Sequence, residues 1–453
     1  MNNIFNLQNF NHVHFVGVGG VSMSALAEFS LRRGKSVSGS DRASSNLTDR
    51  LKKLGAKIYL GHAKENVYGA DLVVYSSAIC SSNPEIEYAI LHKIPLVKRS
   101  EFLGAILTKF KHVIAVSGCH GKTTTTAMIS SVLIASGRNP TVFLGGESLE
   151  YGNFRQGSNE FAVVEACEYQ QNFLDLYHTL SVVLNVDKDH LECYRDFEHL
   201  QQCYVDFCSN TVKVVGVDNI KKEQLTYSAI TFGTLYRARY TARNLECVGG
   251  KYSFDLYDFS YNCGRINLNI FGIHNVYNAL ATASVCFYYG INFSAIKVAL
   301  ENFKNAKRRM EEVGEICSTQ AVCDYAHHPE EISKTVNALR QVGDKTLFVF
   351  QPHTYSRTKS LMNEFVDVLK QIDGLIIYKT YPAREKYDKK GGAKTLYYKV
   401  KQCNSSIKYA DSKKSLGLMI KESLLGQEYK RICFLGAGDI YQVAKRLCED
   451  KKE

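Results

Sequence analysis

The stretch "HVIAVSGCHGKTTTTAMISSVLIASG", His112 to Gly137, leaves this chain few folds to choose from. A wholly apolar strand runs into a turn containing Gly118 and Gly121, and Lys122-Thr123 opens a helix without any intervening loop. Backbone N–H groups around the two glycines can wrap anionic oxygens, and the helix N-terminus adds about half a positive charge. Lys122 is placed to neutralise outer phosphates and Thr123 to ligate Mg²⁺. The glycines lie closer together than in the stock G-x-x-x-x-G-K-[ST] loop. A parallel α/β sheet with a variant phosphate loop follows, and with it the question of where a transferred phosphoryl group would go.

Acids at neighbouring strand ends sharpen that question, since ligands of open parallel sheets bind beyond the strands' carboxyl ends. Glu165 ends "FAVVE", and Asp189-His190 ends "LSVVLNVDKDH". These groups are expected to meet beside Thr123, where hard oxygen ligands suit Mg²⁺ and an imidazole completes a second site.

The remainder divides around this centre. Upstream, "HVHFVGVGGVSMSALAEFSLRRG" is strand, glycine turn and helix, continued by the strands in "SVSGSD", "AKIYLGH", "DLVVYSSAI" and "IPLVKRS". Gly17, Gly19 and Gly20 resemble a dinucleotide fingerprint, with Asp41 at ribose distance. Ser22 replaces the third glycine, which argues against nicotinamide chemistry and leaves diphosphate binding at the helix N-terminus open. Downstream, short strands around "VGGKYSFDLYDF" form a candidate hairpin before the helix "HNVYNALATASVCFYYG". After the charged run "KNAKRRMEEVG", four further strands end in polar or glycine-rich residues. The expected architecture is α/β in three domains: a Rossmann-like domain over 1–106, a P-loop-type ATPase domain with a small β insertion over 107–311, and a Rossmann-like domain over 312–453.

Composition removes other classes. In 453 residues, 45% hydrophobic and 22% charged, no apolar run reaches membrane-spanning length. The N-terminus lacks signal-peptide character, so a cytoplasmic protein without membrane insertion is expected. Fourteen scattered cysteines without a C-x-x-C pair read as reduced thiols. The net charge of +11 is spread along the chain without a basic tail, which favours nucleotide and phosphate substrates over nucleic acid.

"DYAHHPEE" (Asp324 to Glu331) and "QPHTYSRT" (Gln351 to Thr358) gather imidazoles, hydroxyls and an arginine past two strands. The paired histidines lack a third ligand at zinc spacing. Arg357 can instead grip a carboxylate with two parallel hydrogen bonds, and Arg308-Arg309 can stabilise a phosphoryl group in transfer.

Taken in order, "GVGGVSMSALAE", "SGSD", "GCHGKTTTT", "EACEY", "FGIHNVYNALA", "DYAHHPEE", "FQPHTYSRT" and "GAGDI" resemble the Mur ligase family over essentially the whole chain. The resemblance implies a step of peptidoglycan precursor synthesis in which ATP phosphorylates the lactyl carboxylate of UDP-N-acetylmuramate and L-alanine then attacks. It implies a UDP-sugar site at Gly17, Gly19, Gly20, Ser40, Asp41, His62 and Ser76. It implies an ATP site at Gly118, Cys119, His120, Gly121, Lys122, Thr123 and Thr124, with Asn275 and Asn278 toward adenine and Asp324 toward ribose. Metal ligation falls to Thr123, Glu165 and His190, and the amino-acid end to Tyr325, His327, His353 and Arg357. Lys122, Arg308, Arg309, His327 and Arg357 are the expected catalytic group, in a monomer or homodimer. Thr354 stands where many members carry Arg, so carboxylate binding there rests on Arg357.

Overall fold

The computed structural model describes residues 10–187, 193–218, 220, 222–235, 237–383, 385–426 and 429–450. The chain forms two compact units: Met1–Arg243 with Asp255–Ile266 and Tyr277–Phe303, and Asn244–Phe254 with Asn267–Val276 and Lys304–Glu453.

The first unit opens with β1 (His12–Val16), β2 (Ser36–Asp41), β3 (Lys57–Leu60), β4 (Leu72–Tyr75) and β5 (Leu96–Lys98). They build an all-parallel sheet in the order β3-β2-β1-β4-β5. Each of these strands was expected from the sequence, β2 as the serine- and glycine-rich "SVSGSD" and the others as short apolar runs. The order reverses direction beside β1, so the glycine turn after it opens at the switch point where such sheets bind ligands.

A second sheet follows, from β6 (His112–Ser117), β7 (Thr141–Ser148), β8 (Gly152–Arg155), β9 (Phe161–Glu165), β10 (Leu180–Val183), β11 (Val212–Gly216), β12 (Ile230–Gly233), β13 (Tyr240–Val248), β14 (Lys251–Asp258) and β15 (Tyr261–Phe271). Its order is β15-β14-β13-β12-β11-β10-β6-β9-β7-β8. β6 lies between β9 and β10, parallel to both, and its Val113–Val116 are sealed from solvent. That burial on both faces explains its uninterrupted apolar run.

No strand was expected between the helix Lys122–Ala135 and "FAVVE", yet β7 and β8 form an antiparallel hairpin there. Its Phe143 and Phe154 pack against Phe29 of the helix Val21–Arg32, with ring centroids 5.8 and 6.2 Å away. Asn153 donates its amide to Val21 O and Ser24 Oγ of the same helix, at 2.6 and 2.9 Å. The two sheets thus share one core through this hairpin.

The second unit carries β16 (Glu311–Ile316), β17 (Thr319–Asp324), β18 (Thr346–Phe350), β19 (Leu375–Tyr378), β20 (Lys408–Ala410) and β21 (Arg431–Leu435), in the order β16-β17-β21-β18-β19-β20. β16 is antiparallel to β17, and the others run parallel. Apolar clusters cover both faces of this sheet. Among the described residues no helix is long and apolar enough to cross a membrane.

Candidate functional site

The loop after β6 needs its glycines for measurable reasons. Gly118 and Gly121 hold φ of 134° and 87°, in the left-handed half of backbone space that glycine enters without strain. A Cβ on Gly121 would also lie 2.6 Å from Asn278 Oδ1. Asn185, just past β10, clamps the loop: its Oδ1 accepts from His120 N at 2.9 Å and its amide donates to His120 O at 3.0 Å. Cys119 lends more than its backbone, since its thiol accepts from Asp187 N at 3.2 Å.

Lys122 folds back over this loop, donating to Gly118 O at 2.5 Å and Cys119 O at 3.2 Å. Its ammonium also meets both carboxylate oxygens of Glu168, which is closed to solvent. Burial works against the charge on Lys122, but Glu168, with Cys167 and Cys119, outweighs it and the pKa rises. Thr123 and Thr124 are buried in the first helical turn.

Glu165, at the end of β9, accepts from Gly145 N of β7 at 2.8 Å. A Cβ on Gly145 would meet the Glu165 carboxylate at 2.5 Å, and one on Gly146 would meet Thr123 Cγ2 at 2.9 Å. Consecutive glycines therefore let β7 pass close to both side chains. His190 and Asp189 lie outside the described residues. Asn278, on the helix His274–Tyr288, accepts from Thr125 Oγ1 at 3.1 Å and so faces the phosphate loop. Asn275 donates to Phe271 O in the second unit.

At the first sheet, Gly17 N and Val18 N bond Ser40 O at 2.8 and 2.9 Å, and Asp41 accepts from Gly19 N at 2.9 Å. Ser76 caps its own turn by accepting from Ala78 N. Behind Ser40 and His62 sits Glu85, which no motif announced. Ser40 Oγ donates to it at 2.6 Å, His62 Nδ1 at 3.0 Å and Asn66 at 2.6 Å. Burial favours the neutral acid, yet His14, 3.8 Å away, and hydrogen bonds from Ser40, Asn66 and His62 outweigh it and hold the carboxyl at about 2.

In the second unit a cluster forms past β17 and β18. Arg308 donates to Gly436 O and Gly438 O, at 2.8 and 3.0 Å, and lies 4.7 Å from the centre of the Tyr325 ring, while Arg309 lies 5.3 Å from the same ring. Asp324 is occupied internally, accepting from Met310 N and Ala326 N at 2.9 Å and from Thr335 Oγ1 at 3.2 Å. Arg308, Met310 and Thr354 all adopt positive φ without being glycine, a strain that concentrates at functional loops. His327 and His353 face one another with centroids 5.7 Å apart, and His353 stacks on Tyr381. Arg357 Nη1 donates to His353 Nδ1 at 3.2 Å, which requires a neutral imidazole. Burial, with cationic neighbours, pulls both histidines down to about 4.

A glycine-cornered loop with a buried lysine, set beside a carboxylate at the next strand end, is the frame of an α/β protein of the P-loop kind. The chain belongs to the Mur ligase family: the catalytic-domain model matches residues 12–111, the middle-domain model 116–286 and the glutamate ligase domain model 308–438. It is 42% identical to the UDP-N-acetylmuramate–L-alanine ligase of Aquifex aeolicus over 96% of each chain. It is 38% identical to the ligase of that name from Acetivibrio thermocellus, covering 99% of this chain and 98% of the relative. Among solved structures, the UDP-N-acetylmuramate-alanine ligase of Thermotoga maritima matches with a TM-score of 0.84 at 28% identity, over 97% of this chain and 98% of that one. A murein peptide ligase from Psychrobacter arcticus shares the fold, with a TM-score of 0.73 at 20% identity over 97% and 98% of the two chains.

Proposed function

We propose that the chain is an ATP-dependent ligase that joins L-alanine to the lactyl carboxylate of UDP-N-acetylmuramate, in the cytoplasmic synthesis of peptidoglycan precursors. The observation that carries this reading is the full-length identity to ligases of that name, together with a phosphate loop whose lysine is present and buried.

A carboxylate resists attack because its charge is delocalised. One of its oxygens attacks the γ-phosphorus of ATP, ADP departs, and the acyl phosphate offers a leaving group. The alanine amine then attacks the acyl carbon, its proton is lost and inorganic phosphate leaves. Lys122 and the loop N–H groups between Gly118 and Thr124, Cys119 and His120 among them, hold the phosphates, with Asn278 and Asn275 toward the base and Asp324 toward the ribose. Thr123 and Glu165 offer the hard oxygen donors that fit Mg²⁺, with His190 a further ligand, and the bound ion would supply charge neutralisation at the phosphoryl oxygens. Gly17, Gly19, Gly20, Ser40, Asp41, His62 and Ser76 hold the UDP-sugar. Tyr325, His327, His353 and Arg357 receive the amino acid; the neutral imidazoles leave Arg357 as the cation facing a carboxylate. Arg309 is aimed at charge in transfer, while Arg308 shapes the loop that carries it.

The test is phosphate release by the purified protein with ATP and Mg²⁺, adding UDP-N-acetylmuramate and then L-alanine, glycine, L-serine or an L-alanine-led tripeptide. Release that needs both the UDP-sugar and free L-alanine, and vanishes in Lys122→Ala, supports the ligase. Release with the tripeptide alone would move the function to peptide recycling.

A further inference from the structure

A groove of about 500 Å³ opens in the second unit between the helix Lys413–Leu425, the helix Ile440–Glu449 and the tip of the β16–β17 hairpin. Ile316, Ile420 and Leu447 line it with apolar surface, and Lys413, Lys414 and Lys421 ring it with charge. Gly417 shapes it: a Cβ there would lie 3.2 Å from Leu447 Cδ2, so the two helices close on each other at that point. The groove lies at the Thr319 end of β17, whereas the arginine and histidine cluster lies past Asp324 at the other end.

The helix Lys413–Leu425 has two unlike faces. Leu416 and Ile420 are sealed in the core. Lys414, Leu418, Lys421 and Leu425 recur at i, i+4, i+7 and i+11, which sets them in one stripe, and all four are exposed, Leu418 by 54% and Leu425 by 88%. Single exposed leucines are ordinary, but two in register with two lysines beside an apolar groove make a continuous amphipathic surface. Its charge is unmatched. Asp450, the acid on the rim, is taken by Lys413 at 2.9 Å, and among the described residues Lys414 and Lys421 pair with no acid.

These features select the occupant. A second copy docked by two-fold symmetry would set lysine against lysine, which repels. A flat lipid surface would touch the stripe and leave the groove unfilled. A helix bearing acids about 10 Å apart along its axis, with an apolar side chain between them, meets Lys414 and Lys421 and fills the groove at once. We propose that the groove and stripe form a docking surface for an acidic amphipathic helix of a partner protein. This surface is separate from the ligase site and does not depend on that reading.

The test titrates the full chain with a synthetic peptide of about 18 residues, long enough to hold a helix, whose Glu and Leu repeat at the spacing of the stripe, and with its counterpart carrying Lys for Glu. The acidic peptide is expected to bind one to one, about 10-fold or more tighter than the basic one. Lys414→Glu combined with Lys421→Glu should reverse that preference, and Leu418→Asp should weaken the acidic peptide about 10-fold. All three positions are exposed, so denaturation midpoints should stay at the wild-type value. Bound peptide should also shield Cys317, exposed at the groove, from alkylation while the exposed Cys80 reacts as before. Equal binding of both peptides, no saturable binding, or full retention of the acidic peptide by every variant would overturn the proposal. Binding to phosphatidylglycerol vesicles in place of the peptide, lost in the same variants, would overturn it in favour of a lipid surface. A dimer in sedimentation that these variants dissolve would overturn it in favour of a second copy.

Discussion

The ammonium of Lys122 lies 3.1 and 3.0 Å from the two carboxylate oxygens of Glu168, with only 16% of the lysine side chain and none of the glutamate side chain exposed. Each charge therefore depends on the other for its solvation, and removing either leaves its partner buried alone.

Glu168→Gln is accordingly expected to destabilise the fold by about 3 kcal/mol, the usual range for breaking a buried pair. Lys122→Met should be comparably destabilising, while the double variant recovers much of the loss and still releases no phosphate. Denaturant titration of the four proteins gives the cycle; additive effects would show that the pair is not coupled.

Gly121→Ala places a side chain at a φ of 87° and 2.6 Å from Asn278 Oδ1. The expected outcome is a loss of about 1–3 kcal/mol and a raised KM for ATP. Adding Asn278→Gly removes the collision but not the backbone strain, so it should restore stability only in part. Full recovery in the double variant would mean that the backbone conformation carries no penalty.

His327 and His353, near 4 in the folded chain, titrate below the roughly 6.5 of an unfolded histidine. On acidification the unfolded chain takes up these protons first. The stability they confer is complete above pH 6.5 and drains away as pH falls toward 4, at up to about 1.4 kcal/mol per pH unit for each ring. Unfolding free energies at pH 7, 6 and 5 should fall more steeply for the wild type than for the His327→Gln, His353→Gln double variant. Parallel curves would refute the assignment.

Glu85 stays ionised to about pH 2 because four polar side chains hold its charged form. Its contribution to stability is thus complete above pH 4.5 and lost as pH falls toward 2. Glu85→Gln should cost about 2 kcal/mol at neutral pH and raise the KM for the UDP-sugar roughly tenfold, through Ser40 and His62, without moving that for ATP. An equal rise in both KM values would point to general unfolding instead.

The phosphate loop could be read from sequence because everything it needs is contiguous: strand, glycines, Lys122, Thr123 and helix follow without a break. Central parallel strands such as β6 and β18 were equally plain, since burial on both faces writes an unbroken apolar run. The β7–β8 hairpin was invisible for the converse reason. Gly145 and Gly146 dilute its pattern, and they are there to admit Glu165 and Thr123. Glu85, Glu168 and Asn185 meet their partners across 23, 46 and 65 positions of chain, so no local spacing marks them. Glu168 was nearest to discovery, as the second acid of "EACE". Arg308 was read with Arg309 as a cation for a phosphoryl group, and its bonds to the carbonyls of Gly436 and Gly438, 128 and 130 positions away, carry no local signal.

The hairpin that binds Phe29 through Phe143 and Phe154 also supports Glu165 through Gly145. Because one strand grips both the helix behind the first glycine turn and the acid beside the second, the separation of the two turns is set by solid packing. The first unit consequently behaves as one solid piece between its two glycine turns, so a loosening at Phe143 or Phe154 would be felt at both.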